Sequence, residues 1–268
     1  MSAKLRQAGT PSPMAPRSLW NGSIAFGLVT VPVKVYTATE SKSVHFREVH
    51  AKDGSKIEHR RICPKEGKVV DSKEIVRGYQ VSARKWIELE DEEIAAAAGS
   101  QARLIDVDHF VPASEIDPVH YEKAYYLGAQ DKGRDAYALL HAALEKADRA
   151  GVGRWVFHNR ERTVIVRPLG DVLALHTMRF ADEVVDPSDF DLGTVRRKPT
   201  GQEIKMASSL VEGLHTRFDP SDYEDTYRED VLKLIEAKAA GKNIELPEPE
   251  EAESADDLLA QLEASLSA

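Results

Sequence analysis

Residues 18–39 constrain the fold more than any other stretch. Ile24, Phe26 and Leu28 are separated by small residues, and Val31, Val33 and Val35 then alternate with Pro32, Lys34 and Tyr36. Period-two alternation puts one set of side chains on one face of an extended chain. β-Branched and aromatic residues suit such a pleated, half-buried surface. The stretch predicts two strands. Pro32 has no N–H to give to a ladder, so it marks a strand start, a bulge or an edge. Gly22 and Gly27 predict close backbone approach or a bend.

Further along, residues 43–50 alternate again, with Val44, Phe46 and Val49 near one face. Asp53-Gly54 and Glu66-Gly67 are turn signals. Apolar residues are scarce between them, so the segment cannot bury a face and is expected to project as a β-arm over about 41–86. A ten-residue strand would reach ~33 Å, beyond the ~12 Å width of a major groove. Lys85–Glu90 reads as a strand and Asp91–Ala98 as a short helix with acids at its positive end. Strands follow at Leu104–Val111, closed by Pro112, and at Glu122–Gln130. A helix over Arg134–Ala150 sets Tyr137, Leu140, Leu144 and Ala147 on one face, with Gly151 as its stop. Val156–Asn159, Thr163–Leu169 and Val172–Phe180 then form an antiparallel meander with turns at Arg160-Glu161 and Gly170-Asp171.

After Asp182 the character changes. Residues 186–201 are irregular. Glu203–Phe218 reads as a helix with Ile204, Ala207, Val211, Leu214 and Phe218 in a narrow heptad-like seam. Tyr223–Ala240 is a second helix, with Tyr227, Val231, Leu234 and Ile235 in a stripe and Gly241 as its stop. Such narrow seams need a partner surface, supplied by the chain's own body or by a second protomer. The expected organisation is a disordered leader over 1–16, a mixed, β-rich core over 17–200 that carries the arm, a helical C-terminal arm over 201–243, an acidic linker over 244–254 and a short helix over 255–268 with Leu258, Leu259, Leu262 and Leu266 on it.

The net charge of −9 over 268 residues hides a polarity. Residues 1–86 carry +9, residues 87–218 −7 and residues 219–268 −11. A chain divided in this way can offer one face to a polyanion or dock an acidic protein. No run of ~18 apolar residues occurs, so no transmembrane helix is expected, and the leader lacks the apolar core of a secretory signal. Cys63 is the single cysteine, which excludes an intrachain disulfide and suits a reducing compartment. Catalytic signatures do not emerge. There is no phosphate-binding Gly-x-x-x-x-Gly-Lys-Ser/Thr loop, no His-Glu-x-x-His and no Gly-x-Ser-x-Gly. The nine histidines are scattered, and an enzyme would have to be built on Cys63 with His59 or His50. Neither catalysis nor a cofactor is expected.

The identities of the residues say more than their period. Trp20-Asn-Gly-Ser-Ile-Ala-Phe-Gly-Leu-Val, Val31-Pro-Val-Lys-Val-Tyr and Ala38-Thr closely resemble the opening of the bacterial Ku family, the DNA-end-binding proteins of prokaryotic non-homologous end joining. The resemblance continues in one order through Val49-His-Ala-Lys-Asp-Gly, Ile75-Val-Arg-Gly-Tyr, Phe110-Val-Pro, Asp225-Thr-Tyr-Arg-Glu and Asp257-Leu-Leu-Ala-Gln-Leu-Glu-Ala-Ser-Leu, from about Arg17 to Leu266. It implies a Ku-type β-barrel core in a homodimer, with arms that close a ring on double-stranded DNA ends. It also implies a non-catalytic role in double-strand break repair, recruitment and stimulation of the multi-domain ATP-dependent DNA ligase of bacterial end joining, and a cytoplasmic, nucleoid-associated location.

The candidate DNA contacts are Lys34, Arg47, Lys52, Lys56, Arg60, Arg61, Lys65 and Lys68. Arg160 and Arg162 join them because they resemble a basic turn that faces DNA in the family. Cations on phosphates read no sequence, which suits a protein that must accept any broken end. For the dimer interface the candidates are Ile204, Val211, Leu214, Phe218, Tyr227, Val231 and Leu234. Two departures are expected to matter. Some relatives resemble a Cys-x-x-Cys knuckle where this chain has Cys63-Pro-Lys-Glu66, and one thiolate cannot complete a four-ligand zinc site, so no metal is expected. Some also carry a lysine-rich C-terminal extension where this chain has an acidic segment, so DNA contact from such a tail is not expected.

Overall fold

A computed structural model describes residues 17–97, 103–193 and 198–242. The expected leader, acidic linker and terminal helix lie outside the described residues. Among the described residues the chain divides into two compact units, one of residues 17–41, 57–97 and 103–186, the other of residues 42–56, 187–193 and 198–242.

The first unit is built on a closed seven-stranded barrel. The predicted pair at its start is β1 (Trp20–Phe26) and β2 (Val29–Thr37), antiparallel with Ile24 opposite Val31. Two short hairpins follow, β3 (Ile62–Cys63) with β4 (Lys68–Val69) and β5 (Arg77–Ser82) with β6 (Lys85–Leu89). After α1 (Asp91–Ala97) come β7 (Leu104–Pro112), β8 (Tyr121–Ala129), α2 (Arg134–Ala147), β9 (Arg149–Phe157), β10 (Arg160–Leu169) and β11 (Val172–Met178). Around the barrel the order is β1-β2-β8-β11-β10-β9-β7. Every neighbouring pair is antiparallel except β1 with β7, whose parallel ladder closes the ring. Closure leaves no barrel edge open to stray pairing.

Alternation decides what fills the barrel. Val31, Val33 and Val35 point inward and are fully buried, together with Ile24, Ile105, Leu127, Val164, Leu173 and Leu175. Trp155 lies fully buried among them. Trp20 and Tyr125 meet it edge-on at 5.7 and 5.6 Å between centroids, and Phe157 stacks on it at 4.3 Å. Helix α2 joins this core with Leu140 and Leu144. It is pinned by the Tyr137 hydroxyl, which donates to the Leu127 carbonyl (2.6 Å) and accepts from the Leu173 N–H (2.7 Å). Burial raises the Tyr137 pKa, so the hydroxyl stays protonated and able to donate.

Several sequence expectations meet their physical test here. Gly22 does mark a close approach, since a Cβ there would collide with the Trp20 ring and the Arg103 carbonyl. Gly27 makes the bend with φ +56°. Because Gly27 and Leu28 form the turn, Leu28 is fully exposed instead of continuing the core face of Ile24. Pro32 sits opposite Ser23 in β2, just before the β8 ladder begins at Val33, where its missing N–H costs no β8 ladder bond. Residues 43–50 form no strand; only an isolated bridge joins Val49 to Lys56, and Phe46 and Val49 remain exposed. Helix α2 stops at Ala147, not Ala150. Asp148 takes the left-handed conformation (φ 50°), a position Asp tolerates through local hydrogen bonding, and Arg149 already belongs to β9. The next turn is His158-Asn159, with φ 52° and 58°, the two-residue type that suits a right-twisted hairpin. Arg160 and Glu161 therefore open β10 instead of forming the turn.

In the second unit, α3 (Gly201–Gly213) starts at a capping box. Thr200 Oγ1 accepts from the Glu203 N–H, and the Glu203 carboxylate accepts from the Thr200 N–H at 2.6 Å. The helix is shorter than its apolar pattern predicts: Leu214 caps it, and Phe218 lies beyond it. The α4 helix (Thr226–Ala239) starts at Asp225, which accepts from the Arg228 N–H, and Gly241 (φ +71°) ends it as expected.

Candidate nucleic-acid interface

Ordinary turn chemistry positions the cations. In the first unit Gly67 (φ +67°) lets the chain reverse between β3 and β4, and its N–H bonds the Cys63 carbonyl at 2.8 Å. The Val70 N–H closes the hairpin on the Arg61 carbonyl at 2.9 Å. Arg60 and Arg61 thus stand at the base, Lys65 at the turn and Lys68 on β4 opposite Cys63, all four exposed. Lys34 is exposed on the outer face of β2, opposite Asn21 and Gly128. The paired strands of β3 and β4 are two residues each, far from the ten-residue reach expected of the arm. With almost no apolar residue to bury, a long ladder has nothing to stabilise it.

In the second unit a tight turn over 50–55 does the same work. Asp53 accepts from His50 Nδ1 (3.0 Å) and from the Ser55 N–H (2.9 Å), and Gly54 has φ +71°. The Ser55 and His50 hydrogen bonds hold the Asp53 carboxyl below its usual range. Arg47, Lys52 and Lys56 are displayed outward around this turn.

Among the described residues, Lys34, Arg47, Lys52, Lys56, Arg61, Lys65 and Lys68 make no ion pair. Arg60 meets Glu58 at 3.7 Å with both side chains about two-thirds or more exposed, a contact worth ~0–1 kcal/mol that leaves its charge available. The two barrel arginines differ. Arg160 pairs with Glu183 at 2.9 Å, and the Phe180 N–H together with Arg160 holds that carboxyl below its usual range. Arg162 pairs with Glu122 at 3.0 Å in a shielded place, their side chains 21% and 32% exposed, and Glu122 also accepts from Thr177 Oγ1 at 3.0 Å. Both arginines line a depression of about 210 Å³ with Glu122, Arg179, Phe180 and Glu183.

The sequence predicts a strand at Lys85–Glu90 without a partner; the structure pairs it with Arg77–Ser82 as the β5–β6 hairpin. This hairpin adds Arg77, which bonds Asp91 at 3.0 Å, and Arg84 and Lys85 at its tip. The alternation of Tyr79 and Val81, answered by Ile87 and Leu89, is the signal that marks it. The seam residues of the two helices differ in exposure. Ile204, Val211, Leu214, Phe218 and Tyr227 are exposed, whereas Val231 and Leu234 are half-buried. Cys63 is half-buried, and no group of three or more metal-ligating side chains gathers among the described residues. No described helix is long and apolar enough to cross a membrane.

The fold and these turns define a class: a closed β-barrel protein that displays exposed cations on short hairpins. Comparison with known proteins narrows the class. The family profile described as the Ku70/Ku80 beta-barrel domain matches residues 25–206. A protein of Anaeromyxobacter sp. (strain K) named "Non-homologous end joining protein Ku" is 41% identical over 237 residues, covering 88% of this chain and 80% of that protein. Proteins of the same name from Mycobacterium tuberculosis and Mycolicibacterium smegmatis are 36% and 38% identical over 94% of this chain, covering 95% and 82% of their own lengths. The chain belongs to the Ku family.

Proposed function

We propose that this chain is a non-catalytic homodimer that binds double-stranded DNA ends without reading sequence, in double-strand break repair by non-homologous end joining, and that it recruits and stimulates the multi-domain ATP-dependent ligase of bacterial end joining. The observation that carries the reading is the set of exposed cations that make no ion pair among the described residues, on the turns at 50–55 and 62–69, in a family whose relatives bear an end-joining name. Lys34, Arg47, Lys52, Lys56, Arg60, Arg61, Lys65 and Lys68 serve as phosphate contacts, and phosphate contacts position a duplex without specifying it. Arg160 joins them when Glu183 releases it. Arg162 we assign to tying β10 to β8 through Glu122. The exposed apolar residues of α3 and the segment after it, with the Tyr227–Leu234 stretch of α4, are the proposed dimer contact.

The test is retention of linear against covalently closed circular DNA of the same sequence. Binding through ends predicts stable complexes with linear DNA only; equal retention of both overturns it. Ligation by the partner ligase with and without the protein tests recruitment, which fails if the rate is unchanged. Replacing Arg60 and Arg61 by Glu abolishes retention on this reading and leaves it intact if the basic arm serves an acidic protein instead.

A further inference from the structure

In the β5–β6 hairpin Gln80 pairs with Trp86 and Gly78 with Glu88, so these four share one face. Tyr79 and Ile87 occupy the other. Trp86 is 60% exposed. Its ring leans across the ladder onto Gly78: a Cβ on Gly78 would stand 3.2 Å from the indole Cε3. A Cβ at 78 would make the ring give by a few tenths of an ångström, so the glycine lets the indole lie close against the ladder there with its outer side uncovered. The loop between the strands is Ala83-Arg84, because Ser82 pairs with Lys85. That puts Arg84 at the tip and Lys85 next to it, on the Tyr79–Ile87 face by the same alternation, and neither makes an ion pair among the described residues.

The surroundings of this ring narrow what it binds. A protein hot spot needs apolar neighbours that exclude water around the anchor. Here the indole's companions are Gly78, Gln80 and Glu88, with two cations at the end. One flat ring next to unneutralised cations suits one nucleobase, which stacks on an aromatic side chain while its flanking phosphates meet positive charge. Bases inside a duplex are already stacked on both sides and offer no free face; unpaired terminal bases do.

We infer that the β5–β6 hairpin is a second DNA contact, in which Trp86 stacks on an unpaired base of a single-stranded overhang, Arg84 at the tip holds the adjacent phosphate, and Lys85 reaches the strand round the tip from the other face. This rests on the end-binding reading above and adds to it a preference among ends.

The experiment uses the full chain and three fluorescent duplexes, each closed at the far end by a DNA hairpin: one blunt, one with a short thymidine overhang, one with an abasic overhang of equal length. Wild type binds the thymidine overhang about tenfold tighter than the blunt or abasic probe, and its tryptophan emission falls only with the thymidine probe. Trp86→Ala binds all three at the blunt level, with the emission response gone. Gly78→Val, which keeps the indole and displaces it, behaves likewise. Trp86 is exposed, and emission from Trp20 and Trp155 in the barrel reports that the variants remain folded. Equal affinity of wild type for all three probes overturns the inference, and so does a Trp86→Ala protein with wild-type overhang preference. A Trp86→Ala protein that changes oligomeric state also overturns it, because the hairpin is then an interface between copies. If wild type fails to bind even the blunt probe, the end-binding reading itself has failed.

Discussion

Phosphate contacts leave a quantitative signature in salt. Lys65 and Lys68 lie at the turn and on the second strand of the β3–β4 hairpin, exposed and without ion pairs among the described residues. In a homodimer, changing both to Ala removes four cations. Each phosphate contact contributes about −0.9 to the slope of log K against log salt, so the variant's slope is shallower by about 3.6. Over the fourfold change from about 50 to 200 mM salt, that is a loss of affinity smaller by about two orders of magnitude than the wild-type loss. Anisotropy titrations of a short blunt duplex at several salt concentrations measure both slopes. Circular dichroism melts serve as the control, because neither lysine packs on the core and the barrel should melt as before. An unchanged slope in a folded double variant refutes the assignment of this hairpin to phosphate. Arg162→Gln is the contrasting case. It leaves Glu122 without its cation in a shielded site, a loss of ~1.5–3 kcal/mol, and shifts the melt with little effect on the slope.

Other expectations follow from the same geometry. Glu183→Gln frees Arg160 and adds one contact per protomer, so duplex affinity at low salt rises about tenfold; unchanged affinity excludes Arg160 from the interface. Val211→Asp with Leu214→Asp yields monomers by light scattering if the exposed apolar residues meet a second copy. Trp155→Ala opens a cavity at the centre of the barrel and costs ~3–5 kcal/mol in urea unfolding. Acid supplies a further test. Burial, with help from the Arg167 guanidinium at 3.2 Å, lowers the His176 pKa from 6.5 to about 4. The unfolded chain therefore takes up that proton first as pH falls, and stability present above pH 6.5 drains away toward pH 4. Discounted for the ring's partial exposure, the loss is ~1–2 kcal/mol. His176→Gln removes that part of the decline between neutral and acidic urea midpoints, and an identical decline in the variant speaks against it.

How much of this was legible depends on where each partner comes from. The inward set Ile24, Val31, Val33 and Val35 is readable because alternation is a local property. The turns at Asp53-Gly54 and Glu66-Gly67 are readable for the same reason, since each needs one residue in the left-handed region. The end of α2 was not, because Arg149-Ala-Gly can continue a helix or open a strand, and barrel pairing with β7 and β10 decides for the strand. The seam over Ile204–Phe218 overran its helix because apolar spacing carries no information about a stop at Gly213.

From sequence alone came the family, the barrel's apolar alternation and the cationic turns, since residue order carries each of these directly. Only the folded chain decided which cations remain free. Arg162 and Lys68 look equivalent in a charge count, but Glu122 is separated from Arg162 by 40 positions and reaches it through the packing of β8, β11 and β10. The closing contact of β1 with β7 is likewise non-local, as is the placement of Trp86 on Gly78. Electrostatic and packing energies fall off over a few ångströms of space, so distance in the fold, not distance along the chain, determines which groups neutralise one another.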